Sequence, residues 1–313
     1  MKFFLSCFFT VCMTFVQAQD KKMCISVDDL PVVSYGIEDP DFGEKITEKL
    51  LSTFRKHEVP AIGYVNEHKL YKNGTLDQSM VHLLELWLKN GNELGNHTYS
   101  HMNYHSSAFG DYTEDIIRGE KITRQLTDEY KTPLKYFRHP YLRSGMNKEH
   151  ADTLENFLNQ VGYTTAPVSI DNDDYLFAKA YHDAFMAGDS TLMEKIGQAY
   201  LSYMEDKLLY FERSSINLFN RNISHILLVH ASLLNAEYLD DLIEVYNKHG
   251  YQYISQGEAL EDEVYREKIT RFGDWGISWI DRCALSQGKK GDFFKDEPFV
   301  PEFIRDLNQD NTY

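Results

Sequence analysis

Cysteine is scarce in this sequence, and the few that occur are spread along the chain. Only four are present among 313 residues, and Cys7 and Cys12 lie within an apolar N-terminal stretch. The remaining pair, Cys24 and Cys283, is too small for a disulfide framework. One disulfide or two unpaired buried thiols therefore stay open as alternatives.

Positive charge is also scarce. The chain has 32 Lys and Arg residues against 48 Asp and Glu residues, which gives a formal net charge of −16. Such an acidic surface argues against charge-driven binding of nucleic acid or anionic lipid, but it does not restrict a neutral sugar ligand. The sequence also lacks a Gly-x-Ser-x-Gly elbow and a phosphate-cradling glycine-rich loop, which argues against the enzymes built on those motifs.

Long apolar runs are confined to the N-terminus. Residues 1–18 combine an early Lys2 with an uncharged apolar run and a small-residue cleavage site at Ala18, which predicts a secretory signal peptide. No later stretch is apolar for long enough to form a membrane helix. We therefore expect an exported protein, periplasmic or secreted in a bacterial envelope, without an integral membrane segment after cleavage.

Short apolar strands alternate with helices along most of the chain. This alternation predicts a parallel sheet, and the strand count favours a closed or nearly closed barrel. A helix-rich stretch broken at Gly188 interrupts the pattern, and Ser255 with Glu258 forms a capping box for the last barrel helix. The predicted strands are 23–27, 60–65, 93–96, 134–137, 163–170, 225–229 and 251–254, and the predicted helices are 41–57, 77–89, 111–130, 147–160 and 235–249.

The domain organisation follows from this alternation. We expect a signal peptide over 1–18, a barrel over 19–270 with a helical insertion at 175–221, and a C-terminal extension over 271–313 packed on the barrel. Within the extension, Pro298 and Pro301 predict that no regular element forms there. The insertion contains tyrosines at helical spacing, which favours ordinary helix packing over sugar stacking. They are Tyr181, Tyr200, Tyr203 and Tyr210.

Polar side chains follow most of the predicted strands. In a parallel α/β barrel, the carboxyl ends of the strands and the loops after them form the face that carries the chemistry. Since these positions were identified from strand ends alone, we expect their side chains to converge on one site. They are Asp28 and Asp29, His97 with His101, Arg138, Asp171 to Asp174, and His230.

Such a set of side chains is suited to hydrolysis. One carboxylate and two imidazoles make a three-ligand metal site with an open position, as in catalytic zinc sites. A second carboxylate can take a proton from water, and a free histidine can protonate a leaving group. An arginine nearby can hold the base carboxylate ionised. The set therefore predicts hydrolysis of an amide or an ester.

Five motifs in order resemble those of the polysaccharide deacetylases of the NodB homology type, carbohydrate esterase family 4. The resemblance covers about 23–260 and implies a distorted (β/α) barrel of about seven parallel strands. It also implies removal of N- or O-linked acetyl groups from a polysaccharide or oligosaccharide substrate. The motifs are Ser26–Leu30, His97–His101, Arg138–Pro140, Asp171–Tyr175 and Leu228–His230.

The resemblance assigns a role to each motif residue. It implies that Asp28 is the catalytic base and that Arg138 orients it. The metal ligands would be Asp29, His97 and His101, and the expected cofactor is a divalent cation, zinc first, with cobalt or nickel able to substitute.

The remaining motif residues would serve the substrate and the leaving group. The resemblance implies that the backbone N–H of Tyr141 helps to hold the oxyanion and that Leu228 lines the acetyl-methyl pocket. His230 would be the general acid, Asp174 would tune it, and Tyr175 would form a wall of the groove.

Three departures from the family pattern lie near these motifs. Leu30 replaces a glycine, Tyr175 replaces a tryptophan, and Ala231 replaces a frequent aspartate. None removes a catalytic group, but all three bear on the choice of substrate. Two further histidines stay open: His105 is expected to be a surface loop residue and not a fourth ligand, whereas His139 either touches substrate or supports the site.

Two other functions remain as alternatives. One is hydrolysis of a non-sugar C–N bond on the same fold, and the other is a catalytically silent carbohydrate-binding protein. The sequence does not distinguish N- from O-deacetylation, and it leaves the glycan and the oligomeric state open.

Overall fold

The computed structural model describes residues 20–309, so the predicted signal peptide at 1–18 lies outside the described residues. A mostly parallel sheet of seven strands forms the centre and curls into a half-barrel, in the order β7-β6-β5-β2-β1-β8 with β9 also paired to β1. A small antiparallel hairpin of β3 and β4 lies apart from it. The strands are β1 (Lys21–Leu30), β2 (Ile62–Val65), β3 (Tyr71–Lys72), β4 (Thr75–Leu76), β5 (Glu93–Asn96), β6 (Tyr136–Phe137), β7 (Thr164–Thr165), β8 (Ser224–His230) and β9 (Tyr251–Tyr253).

Helices flank the sheet, and the predicted alternation of strands and helices is confirmed. The insertion forms two helices, α6 and α7, that separate at Gly188 as predicted. The helices are α1 (Pro40–Lys56), α2 (Gln78–Lys89), α3 (Phe109–Arg118), α4 (Lys121–Glu129), α5 (Lys148–Gln160), α6 (Asp174–Met186), α7 (Ser190–Phe219), α8 (Leu233–Lys248), α9 (Gln256–Leu260), α10 (Trp279–Ser286) and α11 (Glu302–Gln309).

β1 is the strand on which the sheet is built, since it pairs in parallel with β2, β8 and β9. Met23, Ile25 and Val27 are fully buried in the core, and their neighbours Cys24 and Ser26 are buried too. A strand covered on both faces is expected to be mostly apolar, and between Met23 and Val27 only Ser26 is polar. The last residues of β1 therefore present the first polar groups at the edge of the core.

The predicted strand 163–170 is shorter in the structure and divides its pairing between two neighbours. β7 pairs with β6, whereas Ile170 forms an isolated parallel bridge with Leu227 of β8. Pro167 lies between the two pieces and has no N–H to donate to a ladder. The change of partner brings the chain from β7 across to β8, at the other end of the strand order.

The predicted helix 111–130 is two helices, α3 and α4, because the chain breaks at Gly119. A Cβ atom at Gly119 would lie 2.4 Å from the backbone carbonyl carbon of Thr98. Only glycine permits so close an approach of two backbone segments. The break therefore lets α3 pack against the loop that carries His97 and His101.

The tyrosines of the insertion are core residues, as predicted from their helical spacing. Tyr181, Tyr200, Tyr203 and Tyr210 are all at most 4% exposed, and the hydroxyl of Tyr200 donates to Asn235 Oδ1 at 2.6 Å. Tyr181, Tyr200 and Tyr203 belong to the core around α6, α7 and α8, and Tyr210 of α7 lies near Asp281 of α10. Their burial removes them as candidates for stacking on a sugar.

The C-terminal residues form two helices, so the expectation that the prolines exclude regular structure there was wrong. Pro301 immediately precedes α11, and a proline at a helix start loses no intrahelical hydrogen bond. The backbone N–H of Trp279 donates to the carbonyl of Val168 at 2.6 Å, and Asn308 Nδ2 donates to the carbonyl of Leu176 at 3.1 Å. The division of the chain into barrel, insertion and extension stays a prediction.

Two further features bear on the sequence predictions. Cys24 and Cys283 are both buried and unpaired, so the two-thiol alternative describes them. Across residues 20–309, no helix combines the length and the apolar character needed to cross a membrane.

Candidate active site

The polar residues at the strand ends converge on one cavity of about 650 Å³, as the sequence predicted. β1, β5, β6 and β8 each bring at least one of them to this edge of the sheet. Arg138 contacts Asp28, and Asp174 contacts His230, so each of them supports a residue that faces the cavity. The predicted site residues that line the cavity are Asp28, Asp29, His97, His101, Tyr141, Tyr175, Leu228 and His230.

A candidate metal centre lies in this cavity. The ligand atoms of Asp29, His97 and His101 all lie within 4.8 Å of one another. The Nε2 atoms of both histidines are 3.7 Å from Asp29 Oδ1. Within the described chain, Asp29 Oδ1 is buried and has no hydrogen-bond partner. A buried carboxylate oxygen without a donor, facing two imidazoles, is the arrangement expected of residues that share a cation.

The state of the two imidazoles fits this role. The ring of His97 donates from Nδ1 to the carbonyl of Arg138 at 2.8 Å, which leaves the Nε2 lone pair free to bind a metal. Burial lowers the pKa values of His97 and His101 to about 4, so both rings are neutral at physiological pH. Burial alone would raise the pKa of Asp29, but Lys69 and His101 outweigh it and hold that pKa below its usual range.

The backbone at the metal centre is held in an unusual conformation. Asp29, Thr98 and His101 have φ values of 68°, 65° and 57°, in the left-handed region that non-glycine residues rarely occupy. Asn96 holds the turn after β5, because its Oδ1 accepts from the N–H of Thr98 at 2.7 Å. Its Nδ2 also donates to the carbonyl of Ile116 in α3 at 2.9 Å. Such local strain persists only where the surroundings impose it, and it is concentrated at functional sites.

Asp28 and Arg138 form a buried ion pair beside this centre. Arg138 Nη1 lies 3.1 and 3.2 Å from the two carboxylate oxygens of Asp28. The guanidinium also donates to the carbonyl of Ala166 and to Ser26 Oγ, so its position is fixed from two further directions. Burial raises the pKa of Asp28, and Arg138 opposes that rise. The carboxylate is therefore both oriented and made more basic than a carboxylate in water.

His230 and Asp174 form a second buried pair on the other side of Asp28. His230 Nδ1 lies 2.6 Å from Asp174 Oδ1. Asp174 Oδ2 accepts from the backbone N–H of His230 at 2.9 Å and from Asn235 Nδ2 at 2.8 Å. Burial alone would lower the pKa of His230, but the Asp174 carboxylate outweighs it and raises that pKa to about 9. The ring is therefore protonated at neutral pH, and its Nε2 is the nitrogen left for a substrate.

Exposed aromatic rings and one apolar side chain complete the cavity. Tyr141 is 55% exposed, and its ring centre lies 4.4 Å from that of His101. Tyr175 is 49% exposed, and its ring centre lies 6.4 Å from that of His230. Leu228 is nearly buried and contributes an apolar patch to the lining. Tyr175 therefore provides an aromatic ring in the cavity lining at the position where the family pattern has tryptophan.

The other two departures from the family pattern do not reach the cavity. Leu30 and Ala231 are fully buried in the core, and neither is among the described residues that line the cavity. A Cβ atom at Gly63 would lie 2.0 Å from Leu30 Cδ1, so this leucine packs tightly against β2. The side chains of Leu30 and Ala231 therefore do not contact a substrate in the cavity, and an influence of these two substitutions through the shape of the turn stays a prediction.

The structure locates two histidines whose roles the sequence left open. His105 is buried and not a surface residue, because Asp274 lies 3.2 Å from its Nδ1 and the N–H of Gly145 donates to its Nε2 at 2.9 Å. It is not part of the metal-ligand group. His139 lines the cavity, and within 20–309 its buried Nδ1 has no hydrogen-bond partner.

The C-terminal segment contacts the loop that carries Tyr141, which the sequence did not reveal. A Cβ atom at Gly276 would lie 1.7 Å from the carbonyl oxygen of Tyr141. Arg282 Nη2 donates to the carbonyl of Leu142 at 2.7 Å. Tyr141 and Leu142 have φ values of 57° and 53°, so this contact covers a strained stretch of backbone. No local sequence signal marks such a contact, because it joins residues more than 130 positions apart.

The cavity also contains further polar residues, of which Asp171 and Asp173 belong to the predicted strand-end set. Asp171 and Asp173 line it beside Tyr175, together with Tyr35, Lys179 and Asn308. Burial raises the pKa of Asp171 to about 7. A larger groove of about 1030 Å³ runs between α1, α6 and α8, but none of the strand-end residues described above lines it. The chemistry therefore belongs to the smaller cavity.

A parallel half-barrel with one carboxylate and two imidazoles at its strand ends defines a class of hydrolase. Residues 16–166 match the family model described as polysaccharide deacetylase, a range that is just under half of the chain and includes Asp28, Asp29 and Arg138. This match agrees with the family resemblance that the motifs predicted. The predicted enzyme class, a deacetylase hydrolase, agrees with the same match. Asp174 and His230 lie beyond the matched range.

Several solved structures are similar to this chain, and one of them, with a TM-score above 0.5, shows the same fold. The Bc1960 peptidoglycan N-acetylglucosamine deacetylase matches with a TM-score of 0.51 and 15% identity, over 77% of this chain and 88% of that one. The peptidoglycan deacetylase PdaC of Bacillus subtilis gives 0.49 and 18%, over 79% and 94%. PdaA of the same organism, a family 4 carbohydrate esterase, gives 0.48 and 17%, over 79% and 82%. A search of curated proteins finds no match.

Proposed function

We propose that this chain is a metal-dependent carbohydrate deacetylase that removes N- or O-linked acetyl groups from a polysaccharide or oligosaccharide. One observation carries the proposal. The ligand group of Asp29, His97 and His101 opens onto a cavity that also presents a carboxylate, Asp28, and a protonated imidazole, His230. The predicted signal peptide fits an exported enzyme that meets its glycan in a bacterial envelope.

Asp29, His97 and His101 are the residues that would hold the cation. A carboxylate oxygen and two imidazole nitrogens suit zinc, and cobalt or nickel can occupy the same donor set. When bound, such a cation polarises a carbonyl group and lowers the pKa of water to about 7.

Asp28 serves as the general base. Its carboxylate faces the cavity next to Asp29, and Arg138 holds both of its oxygens in place. Because burial raises its pKa, Asp28 accepts a proton more readily than an exposed carboxylate does. It takes the proton from the water that attacks the acetyl carbonyl. A positioned base of this kind contributes roughly 10²–10⁴-fold to the rate.

His230 serves as the general acid. Asp174 binds its Nδ1–H and keeps the ring charged, so the Nε2–H is available to the leaving amine or alkoxide. One proton is thus taken by Asp28 and another is given by His230, which releases acetate and the free amine or hydroxyl of the sugar. Asp174 acts only through His230 and is a positioning residue.

The cavity also contains groups that bind the acetyl unit and the sugar. Tyr141 has a left-handed backbone conformation, and its backbone N–H is the oxyanion donor that the family resemblance implies. Leu228 offers an apolar contact for the acetyl methyl group. The half-exposed rings of Tyr141 and Tyr175 are flat surfaces on which a sugar can stack. These rings favour a carbohydrate over a non-sugar amide.

Ligand-removing variants test the proposal. Asp29→Ala and His97→Ala are expected to lose bound zinc and acetate release together, as measured by metal analysis and by an acetate assay on chitooligosaccharides, peptidoglycan fragments and acetylated xylan. His225→Ala is a matched control, because His225 is a buried histidine at the opposite end of β8. Undiminished acetate release by metal-free variants would refute the mechanism. Release from a non-sugar amide alone would replace the carbohydrate substrate.

A further inference from the structure

A lysine outside the predicted site contacts one of the metal-ligand residues. Lys69 lies in the short 3-10 helix Glu67–Leu70 that follows β2. Its Nζ donates to the backbone carbonyl of Asp29 at 2.8 Å and lies 3.7 Å from Asp29 Oδ2. The side chains of both residues are less than a quarter exposed. The contact is therefore a largely covered ion pair supported by a backbone hydrogen bond.

The two oxygens of the Asp29 carboxylate face different neighbours. Oδ2 faces Lys69, whereas Oδ1 faces the Nε2 atoms of His97 and His101 at 3.7 Å each. Among the residues that the structure describes, Oδ1 alone of the pair is buried without a hydrogen-bond partner. Only one oxygen is thus presented toward the imidazoles.

We propose that Lys69 is a positioning residue for the candidate metal centre, which restricts Asp29 to a single ligand oxygen and so keeps a coordination position open for water and substrate. This inference rests on the proposed function of the site. A carboxylate can bind a cation through one oxygen or two, and the second mode would fill a position that hydrolysis needs.

The segment that carries Lys69 is itself anchored beneath the site. Asn66 Nδ2 donates to the carbonyl of His97 at 2.5 Å, and the N–H of His68 donates to the carbonyl of Tyr99 at 3.0 Å. The N–H of Thr123 donates to the buried Glu67 side chain at 2.6 Å. The same segment therefore touches the backbone of the Asp29 turn and of the loop after β5. Lys69 is held in place by these contacts and is not a free surface lysine.

The charge of Lys69 has a second consequence for cation binding. A positive charge next to Asp29 reduces the attraction of the site for a divalent cation, because like charges repel over these distances. Removing the charge frees Oδ2 as a second ligand oxygen and also removes the repulsion. Both effects tighten metal binding, while the loss of an open position slows turnover. Affinity and rate are expected to move in opposite directions.

The Lys69→Met variant tests this expectation, because methionine keeps the apolar stem without the charge. We expect about tenfold tighter zinc binding in a chelator-competition titration, and an acetate-release kcat that is lower by about tenfold or more. With cobalt in place of zinc, the visible absorption should weaken, since an added ligand oxygen raises the coordination number. Lys69→Arg keeps a charge on a similar stem and is expected to restore the wild-type affinity and spectrum.

Lys72→Met is the matched control, because Lys72 lies three residues further on and pairs with Glu38 at the surface. It is expected to leave affinity, spectrum and rate unchanged. Weaker or unchanged zinc binding by Lys69→Met, with wild-type thermal stability, would overturn the role of Lys69 and leave the proposed function intact. If Lys69→Met does not fold, Lys69→Gln takes its place with the same expectations. Failure of the wild type to bind zinc would overturn both proposals.

Discussion

Asp28 and His230 are register partners on two neighbouring parallel strands, β1 and β8. Each is backed by a buried group of the opposite charge, since Arg138 contacts Asp28 and Asp174 contacts His230. The sheet thus places the proposed carboxylate base and the proposed imidazolium acid side by side, next to Asp29. Two titratable groups whose surroundings assign them opposite protonation states are the mark of acid–base catalysis.

Removing the charge behind His230 should shift the alkaline limit of activity. His230 must be protonated to act as the acid, so kcat/KM is expected to fall as the pH rises through its pKa of about 9. In Asp174→Asn the carboxylate that raises the pKa of His230 is lost, while the burial that lowers this pKa remains. The pKa of His230 therefore drops to or below its ordinary value of 6.5. At pH 8 the loss of the protonated ring alone lowers kcat/KM by roughly thirtyfold.

The measurement is a pH profile of kcat/KM for both proteins. The alkaline limb of Asp174→Asn should move down by two pH units or more. A profile that falls uniformly at all pH values, with its limbs unmoved, would show that Asp174 does not set the protonation of His230. Asp183→Asn, on the outer part of the same helix α6, is the control and should leave the profile unchanged.

Breaking the Asp28–Arg138 pair should cost stability as well as activity. Arg138→Met leaves the Asp28 carboxylate buried without its partner, and such a change destabilises a protein by about 3–5 kcal/mol. Urea unfolding of the single variant measures this loss. The double variant Arg138→Met with Asp28→Asn removes the uncompensated charge and should recover part of the lost stability, although both proteins are inactive. If the double variant is no more stable than Arg138→Met, the pair is not the source of the loss.

We expect the C-terminal segment to affect the rate of catalysis through the contact of Gly276 with the Tyr141 loop. A Cβ atom there would lie 1.7 Å from the carbonyl oxygen of Tyr141, so Gly276→Ala must displace the loop that supplies the oxyanion donor. If this loop has its proposed role, we expect kcat to fall roughly tenfold to a hundredfold while zinc content stays at the wild-type level, because a small misplacement of reacting groups is costly. Acetate assays and metal analysis on the same preparation check both parts.

Gly110→Ala controls for this substitution. No atom lies within 4 Å of a Cβ at Gly110, which sits in the first turn of α3. Its activity should equal that of the wild type. Full activity of Gly276→Ala would mean that the Tyr141 loop does not depend on the C-terminal segment.

The exposed ring of Tyr175 should contribute to substrate binding and not to chemistry. Tyr175→Ala is expected to raise KM for an oligosaccharide by roughly tenfold with little change in kcat, since a stacking contact is similar in ground and transition states. Tyr175→Trp, which restores the family residue, should keep KM at or below the wild-type value. A fall in kcat without a change in KM would contradict this assignment.

Much of the site could be predicted from sequence because it lies where apolar strands end. Asp28 comes after a fully buried run in β1, and His97 comes directly after β5. The apolar pattern that predicts each strand therefore also predicts the position of the polar residue at the edge of the sheet. Asp174 was placed near the acid by family resemblance, and the structure supplies its contact with His230.

The parts that sequence did not predict depend on contacts between distant segments. Strands were predicted over 134–137 and 163–170, but β6 and β7 are only two residues long, because pairing with neighbouring strands sets where they begin and end. Lys69 is one of many lysines in the sequence, and only the fold brings it to Asp29. The helix α11 begins directly after Pro301, where a proline starts a helix as readily as it ends one.

The central claim is tested most directly by acetate release from one preparation of residues 19–313, stripped with a chelator and reloaded with zinc. Chitooligosaccharides, peptidoglycan fragments and acetylated xylan serve as substrates, with Asp28→Asn reloaded in parallel. The account predicts that stripped protein releases no acetate, that zinc restores release from at least one glycan, and that Asp28→Asn binds zinc yet stays inactive. Equal release by stripped and reloaded protein, or full activity of Asp28→Asn, would contradict it.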